Sequence, residues 1–93
     1  MAWAVELLES AADALDKLDA TPRYRIWRFL RGRLSRTDNP RQSGKALTGQ
    51  YAGLWRYRIG DYRLVCRIED ARLVVLVVKI GHRRNVYQGN PPQ

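Results

Sequence analysis

The stretch from Leu54 to Ile68 leaves the chain the fewest ways to fold. Leu54-Trp55-Arg56-Tyr57-Arg58-Ile59 alternates large apolar and basic residues, and Tyr62 to Ile68 does so less strictly. Alternation with a period of two is the mark of a half-buried strand. Gly60-Asp61 lies between the two runs, and glycine first in a two-residue connection suits a type II′ hairpin turn. That turn fixes the register. Ile59 then faces Tyr62, Arg58 faces Arg63, and Arg56 faces Val65. Trp55, Tyr57 and Ile59 point to one side, and Leu54, Arg56 and Arg58 to the other. Arg67 continues the second side. Directly opposed residues have Cβ atoms about 4.5–5.5 Å apart, where like charges repel. Three arginines on one sheet face either splay into water, pair with Asp61 and Glu69, or hold an anion. Their shared direction favours the anion.

The remaining segments build outward from this hairpin. Glu69-Asp70-Ala71 reads as a turn and Arg72 to Ile80 as a strand, apolar on both sides and so expected inside the sheet. Ala2 to Leu8 carries Trp3, Val5 and Leu7 in strand alternation. Ser10 is a helix-capping residue ahead of Ala11, Ala12, Ala14, Leu15 and Leu18, with Asp13 in the first turn. Thr21-Pro22 marks a second helix start. That helix is expected to reach about Leu34, with Ile26, Trp27, Leu30 and Leu34 on its apolar side and Arg23, Arg25, Arg28, Arg31 and Arg33 on the other. Such a basic stripe is a solvated face or an auxiliary surface for RNA or a protein partner. Asp38-Asn39-Pro40 closes the helical region, and Arg41 to Gly53 reads as an irregular loop. The expected fold is α+β: an N-terminal strand, a two-helix hairpin and a three-stranded antiparallel meander, with the helices on one face. All 93 residues fit a single domain, with a loose tail from about residue 89 to residue 93.

Charge narrows the function classes. The net charge is +8, and 14 of the 17 basic residues are arginine. The guanidinium fork binds phosphate oxygens in pairs and stacks on bases. A small chain with this field reads as a polyanion binder, although an acidic protein would satisfy it too. No apolar run approaches the roughly 20 residues of a membrane helix, and the first residues lack the basic start of a signal peptide. Cys66 is the single cysteine, so no internal disulfide forms; alternation with Leu64 and Ile68 makes it a small buried hydrophobe. A cytoplasmic location is the expectation. Trp3, Trp27, Trp55, Tyr57 and Tyr62 are expected to pack in the core rather than stack on RNA.

Gly81-His82-Arg83-Arg84-Asn85-Val86-Tyr87 follows the last strand. Gly81 is expected to end that strand and turn the chain, letting His82 and Arg83 lean over the sheet. His82 is the only histidine. Without a second histidine, a cysteine cluster or spaced carboxylates, metal ligation is not expected.

Lys45-Ala46-Leu47-Thr48-Gly49, the hairpin through Val65, and Lys79 through Tyr87 together resemble the RelE family of toxin endoribonucleases, within the RelE/ParE superfamily. The order of strands and helices matches as well, so the resemblance covers nearly the whole chain. It implies the toxin of a type II toxin–antitoxin system that enters the ribosomal A site and cuts messenger RNA. The messenger's own 2′-hydroxyl attacks the adjacent phosphate, without cofactor or metal. The family's basic catalytic positions fall on Arg56, Arg58, Arg63 and Arg83, and its C-terminal tyrosine on Tyr87. Leu54 stands where a family lysine is expected, and the strand is arginine-rich instead of lysine-rich. Arginine stays protonated and is a poor general base. Histidine ordinarily titrates near neutrality, which makes His82 the expected acid or base. Arg63 and Arg83 are assigned to the phosphate with Arg58 beside them. Arg56 is assigned to the backbone or leaving group, and Tyr87 to a base or the 2′-hydroxyl. Lys45, Arg67 and Arg84 are the expected auxiliary RNA contacts, with Lys45 either touching ribosomal RNA or simply solvated. The implied partner is an antitoxin whose acidic, amphipathic segment folds over the basic surface. Two other readings share the fold: a ParE-like toxin of DNA gyrase, and an inactive module that only binds RNA or antitoxin.

Overall fold

The computed structural model describes residues 3–89. Strand β1 (Ala4–Leu7) leads into helix α1 (Glu9–Asp16) and helix α2 (Ala20–Arg28). The helical path continues through a π-helical turn at Phe29–Arg33 and a 3-10 turn at Leu34–Arg36. A short strand β2 (Lys45–Ala46) then precedes β3 (Trp55–Ile59), β4 (Tyr62–Glu69) and β5 (Val74–His82). The sheet order is β1-β5-β4-β3-β2, antiparallel except for the parallel pair β1–β5. The two helices form the crossover that the parallel pair requires.

The hairpin forms in the expected register, with Ile59 opposite Tyr62, Arg58 opposite Arg63 and Arg56 opposite Val65. Gly60 has φ +58°, whereas Asp61 is not in the positive region. That pattern fits a type II′ turn and excludes type I′, which needs both. Strand β5 lies inside the sheet, as its two apolar faces require. It begins at Val74, after a 3-10 turn at Asp70–Arg72 and a left-handed Leu73.

The helices cover one face. Leu15 of α1 and Ile26, Leu30 and Leu34 of the second helical run are fully buried against Tyr57, Leu64, Cys66, Val75 and Val77. Trp3 and Tyr57 are buried there, and Trp27, Trp55 and Tyr62 pack against the same core, so all five aromatic residues serve packing. Their polar ends also fasten the segment after α2. The Trp3 indole donates to Asp38 O at 3.3 Å, the Trp55 indole to Ser43 O at 2.8 Å and the Tyr57 hydroxyl to Pro40 O at 2.6 Å. Segment 41–53 is therefore more ordered than expected, with β2 and two 3-10 turns, Pro40–Gln42 and Gly49–Tyr51.

Three local expectations need correction. Ser10 does not cap α1; the helix starts at Glu9 with Leu8 at the cap position and no side-chain cap bond. Helix α2 starts at Ala20, so Pro22 is its third residue. Gly81 does not end β5; it pairs with Arg63, and the strand runs on to His82. What glycine supplies there is space, since a Cβ would sit 3.3 Å from Val86. No helix among the described residues is long and apolar enough to cross a membrane.

Candidate functional site

The sheet face away from the helices carries a smaller apolar cluster: Tyr51, Leu54, Val65, Val78 and Val86. After β5 the chain makes a tight turn, with Asn85 N and Val86 N both donating to His82 O. This turn brings Val86 back over the sheet and sets Tyr87 edge-on against Tyr51, ring centres 5.3 Å apart. The basic residues surround this patch.

Arg63 is the centre of the group. It is buried, and its Nη1 donates to Gly60 O at 2.9 Å and Tyr62 O at 3.0 Å. Burial holds its guanidinium below the ordinary arginine range, and the charges of Arg58, Arg56 and Arg83 add to that, while Tyr87 acts in the opposite sense. Arg56, Arg58, Arg83 and Tyr87 are thus all within electrostatic reach of Arg63. Asp61 pairs with Arg83 at 3.6 Å, and Arg83 N donates to Asp61 O at 2.7 Å, so the hairpin turn tethers the start of the C-terminal turn. Glu69 pairs with Arg72 instead of with the cluster. Among the described residues, Arg56, Arg58 and Arg63 have no carboxylate partner. The Nε of Arg56 is buried without a hydrogen-bond acceptor. An unsatisfied buried donor within a group of like charges is costly, and an anion would relieve both penalties.

A β-bulge decides which other residues join. Val65 pairs with Lys79 and Cys66 with Val77, so Val78 is the extra residue on β5. Strict alternation from Val77 would have sent Lys79 toward the helices and His82 toward the arginines. The bulge reverses both. Lys79 lies across the sheet from Arg56 and Val65 and donates to Gln88 O at 2.9 Å, pinning the turn that carries Tyr87. His82 pairs with Tyr62, packs edge-on against its ring at 5.7 Å and accepts from Arg84 N at 3.2 Å. It therefore stands on the helix side, apart from the arginines.

Lys45 is exposed on β2 directly opposite Arg56, which extends the basic row to the sheet edge. Arg67 shares the face four residues along β4 from Arg63, about 13 Å at strand spacing. Arg84 is exposed in the C-terminal turn. The structure thus brings together Arg56, Arg58, Arg63, Arg83 and Tyr87, sets Lys45 beside them, and leaves Arg67 and His82 apart. Sequence reasoning overlooked Lys79, Tyr51 and the tethering role of Asp61. The one available signal for Lys79 was its polarity within Val77-Val78-Lys79-Ile80, a break in an apolar run that a bulge can accommodate. Among the described residues, no group of three or more His, Cys, Asp or Glu side chains is placed to hold a metal.

Comparison with known proteins places this geometry. The family model for the ParE toxin of type II toxin–antitoxin systems matches residues 5–87. The chain belongs to that toxin family. Among curated proteins it is 33% identical over 88 residues to toxin RelG of Mycobacterium tuberculosis, covering 95% of this chain and 99% of that one. The toxin fold is shared with the RelBE2 toxin–antitoxin complex from the same organism, at a TM-score of 0.80 and 32% identity over 91% of this chain and 95% of the other. The isolated RelE toxin of E. coli matches at a TM-score of 0.70 and 26% identity, covering 87% of this toxin and 84% of that chain. The chain is the toxin component of a type II system, within the RelE/ParE superfamily.

Proposed function

We propose that this toxin is a ribosome-dependent endoribonuclease that cuts messenger RNA in the ribosomal A site, without a metal ion. The convergence of Arg56, Arg58, Arg63 and Arg83 with Tyr87 on one open sheet face carries the reading. In the reaction, the 2′-oxygen forms a bond to the adjacent phosphorus and the bond from phosphorus to O5′ breaks. The products are a 2′,3′-cyclic phosphate and a free 5′-hydroxyl. The 2′-hydroxyl loses a proton, and the leaving oxygen gains one. Negative charge builds on the phosphorane, and fixed cations stabilise it most where water is excluded. Arg63, locked by its bonds to the turn, and Arg83, held by Asp61, bind the phosphate, with Arg58 beside them. Arg56 uses its orphaned Nε on the backbone or the leaving group. Tyr87 holds the 2′-hydroxyl. His82 acts indirectly, by bracing the turn at Arg84 from the other side of the sheet.

The partner that silences the toxin is an antitoxin with an acidic, amphipathic segment laid over this face. A net charge of +8 supports that pairing, as do relatives solved as toxin–antitoxin complexes. The match to the ParE model favours one alternative, a toxin acting on DNA gyrase. The test is cleavage of a messenger programmed into purified ribosomes. Cuts within the A-site codon are expected, slowed by about 10²–10³-fold in Arg83→Ala, the usual cost of removing one transition-state charge donor. Tyr87→Phe should slow them as well. If well-folded native protein makes no cuts, the nuclease reading fails and a supercoiling assay with gyrase decides the alternative.

A further inference from the structure

A groove on the helical side lies away from the arginine cluster. It is shallow, about 720 Å³, and is lined chiefly by Arg23, Tyr24, Trp27, Arg28, Arg31 and Arg36. All come from the second helical run, and the sheet stands between this groove and the open face. Residues 20–36 hold six arginines and no aspartate or glutamate. Arg23 is bonded to the carbonyls of Asp16 and Leu18. Among the described residues, Arg25, Arg28, Arg31, Arg33 and Arg36 pair with no carboxylate. The Arg31 guanidinium sits 4.5 Å over the Trp27 ring, and Tyr24 is 65% exposed. Gly32, with nothing within 4 Å of where a Cβ would stand, keeps one wall open.

We propose that this face is a second RNA-docking surface that grips the phosphates of a structured, double-stranded RNA element, distinct from the strand being cut; the proposal rests on the nuclease reading above. From Arg23 to Arg36 the guanidinium groups extend over roughly 20 Å at helical rise, the scale of a duplex backbone segment. Arginine forks and an exposed tyrosine suit phosphates and sugars. An acidic protein segment fits less well. Helix-in-groove recognition needs a row of large apolar anchors, and this groove sets Trp27, Tyr24 and the small Ala20 among guanidinium groups. An inhibitory peptide seated here would also leave the open face uncovered.

The probe is a fluorescent 20-base-pair RNA hairpin, and its affinity for the full chain is followed by anisotropy across a salt series. Each lost phosphate contact reduces the slope of log affinity against log salt by about 0.9. The variant Arg28→Gln/Arg31→Gln/Arg36→Gln should therefore bind at least about 30-fold more weakly at 150 mM salt, with a slope shallower by about 3. Arg72→Gln, which removes a cation at the β4–β5 turn outside both basic faces, should stay within about twofold of native. If the triple variant melts early, Arg28→Gln/Arg36→Gln keeps the Arg31–Trp27 stack and should lower the slope by about 2. Native-like hairpin binding in the folded variant overturns the proposal. So does equal loss in Arg72→Gln, or a variant that loses only an acidic 20-residue peptide and keeps the hairpin. Messenger cleavage is scored separately. A native chain that binds the hairpin through this face but cuts nothing sinks the nuclease reading alone. A native chain that cuts normally while the variant binds normally sinks this proposal alone.

Discussion

At the scale of single residues, titration and burial give two direct checks. Asp70 accepts two bonds from Arg41, at 2.8 and 2.9 Å, and those bonds hold its carboxyl below the ordinary value of 3.8. A group with a depressed folded pKa stabilises the fold above its unfolded pKa and loses that contribution as pH falls through the folded value. Asp70→Asn should therefore narrow the gap to the native protein in melts below about pH 4. A gap that persists unchanged at pH 2.5 would show that the pair contributes nothing. Cys66 is fully buried, and burial pushes its thiol up. The thiolate is the reactive form, so iodoacetamide should leave Cys66 unmodified in the native chain at pH 8 and label it in denaturant, as read by mass spectrometry. The Tyr57 hydroxyl is bonded to Pro40 O inside the core. Tyr57→Phe leaves that carbonyl unsatisfied and should cost about 1–3 kcal/mol in denaturant unfolding. A neutral result would mean that water reaches Pro40.

At the scale of elements, the hairpin was fully legible, because alternation plus a glycine-first turn specifies register by itself. Helix α2 was legible from Ile26, Leu30 and Leu34, although its start was misplaced. Thr21-Pro22 is a valid start signal, yet the backbone entered the helix earlier at no evident cost. Strand β2 was hidden, since two residues at an edge carry no periodicity. The site was half legible for one reason: the bulge at Val78. Arg56, Arg58 and Arg63 lie on strands whose pairing the turn dictates, and their shared face could be read directly. Lys79 and His82 lie beyond an irregularity that no local propensity marks, so their sides were not readable. Lys79→Met tests what the bulge achieves. Losing the bond to Gln88 should speed hydrogen exchange around residues 86–88 and lower cleavage several-fold, with Lys79→Arg restoring part of both. In His82→Gln, cleavage should stay within about threefold of native, the scale of a lost exposed hydrogen bond. A drop near that of Arg83→Ala would return His82 to proton transfer.

At the scale of the whole molecule, two basic faces back onto one thin sheet and its helical layer. The field of +8 acts in every association the toxin makes. Charged encounters of this kind weaken steeply with salt. A chain making six or more phosphate contacts should lose about 10³-fold in RNA affinity between 50 and 200 mM salt. A flat dependence in the anisotropy series would show that the arginines are not facing phosphate. The bulge on β5 has a further meaning at the level of the gene. Loss of the single codon for Val78 keeps the reading frame and barely alters composition. It would leave Val77 followed directly by Lys79 in unbroken alternation, so Lys79 would stay beside Val65 on the open face and His82 on the helix side. Among survivors selected for having lost the toxin's lethality, in-frame loss of codon 78 should therefore be scarce, whereas one-codon insertions between codons 79 and 82, which send His82 in among the arginines, should be recovered as nulls.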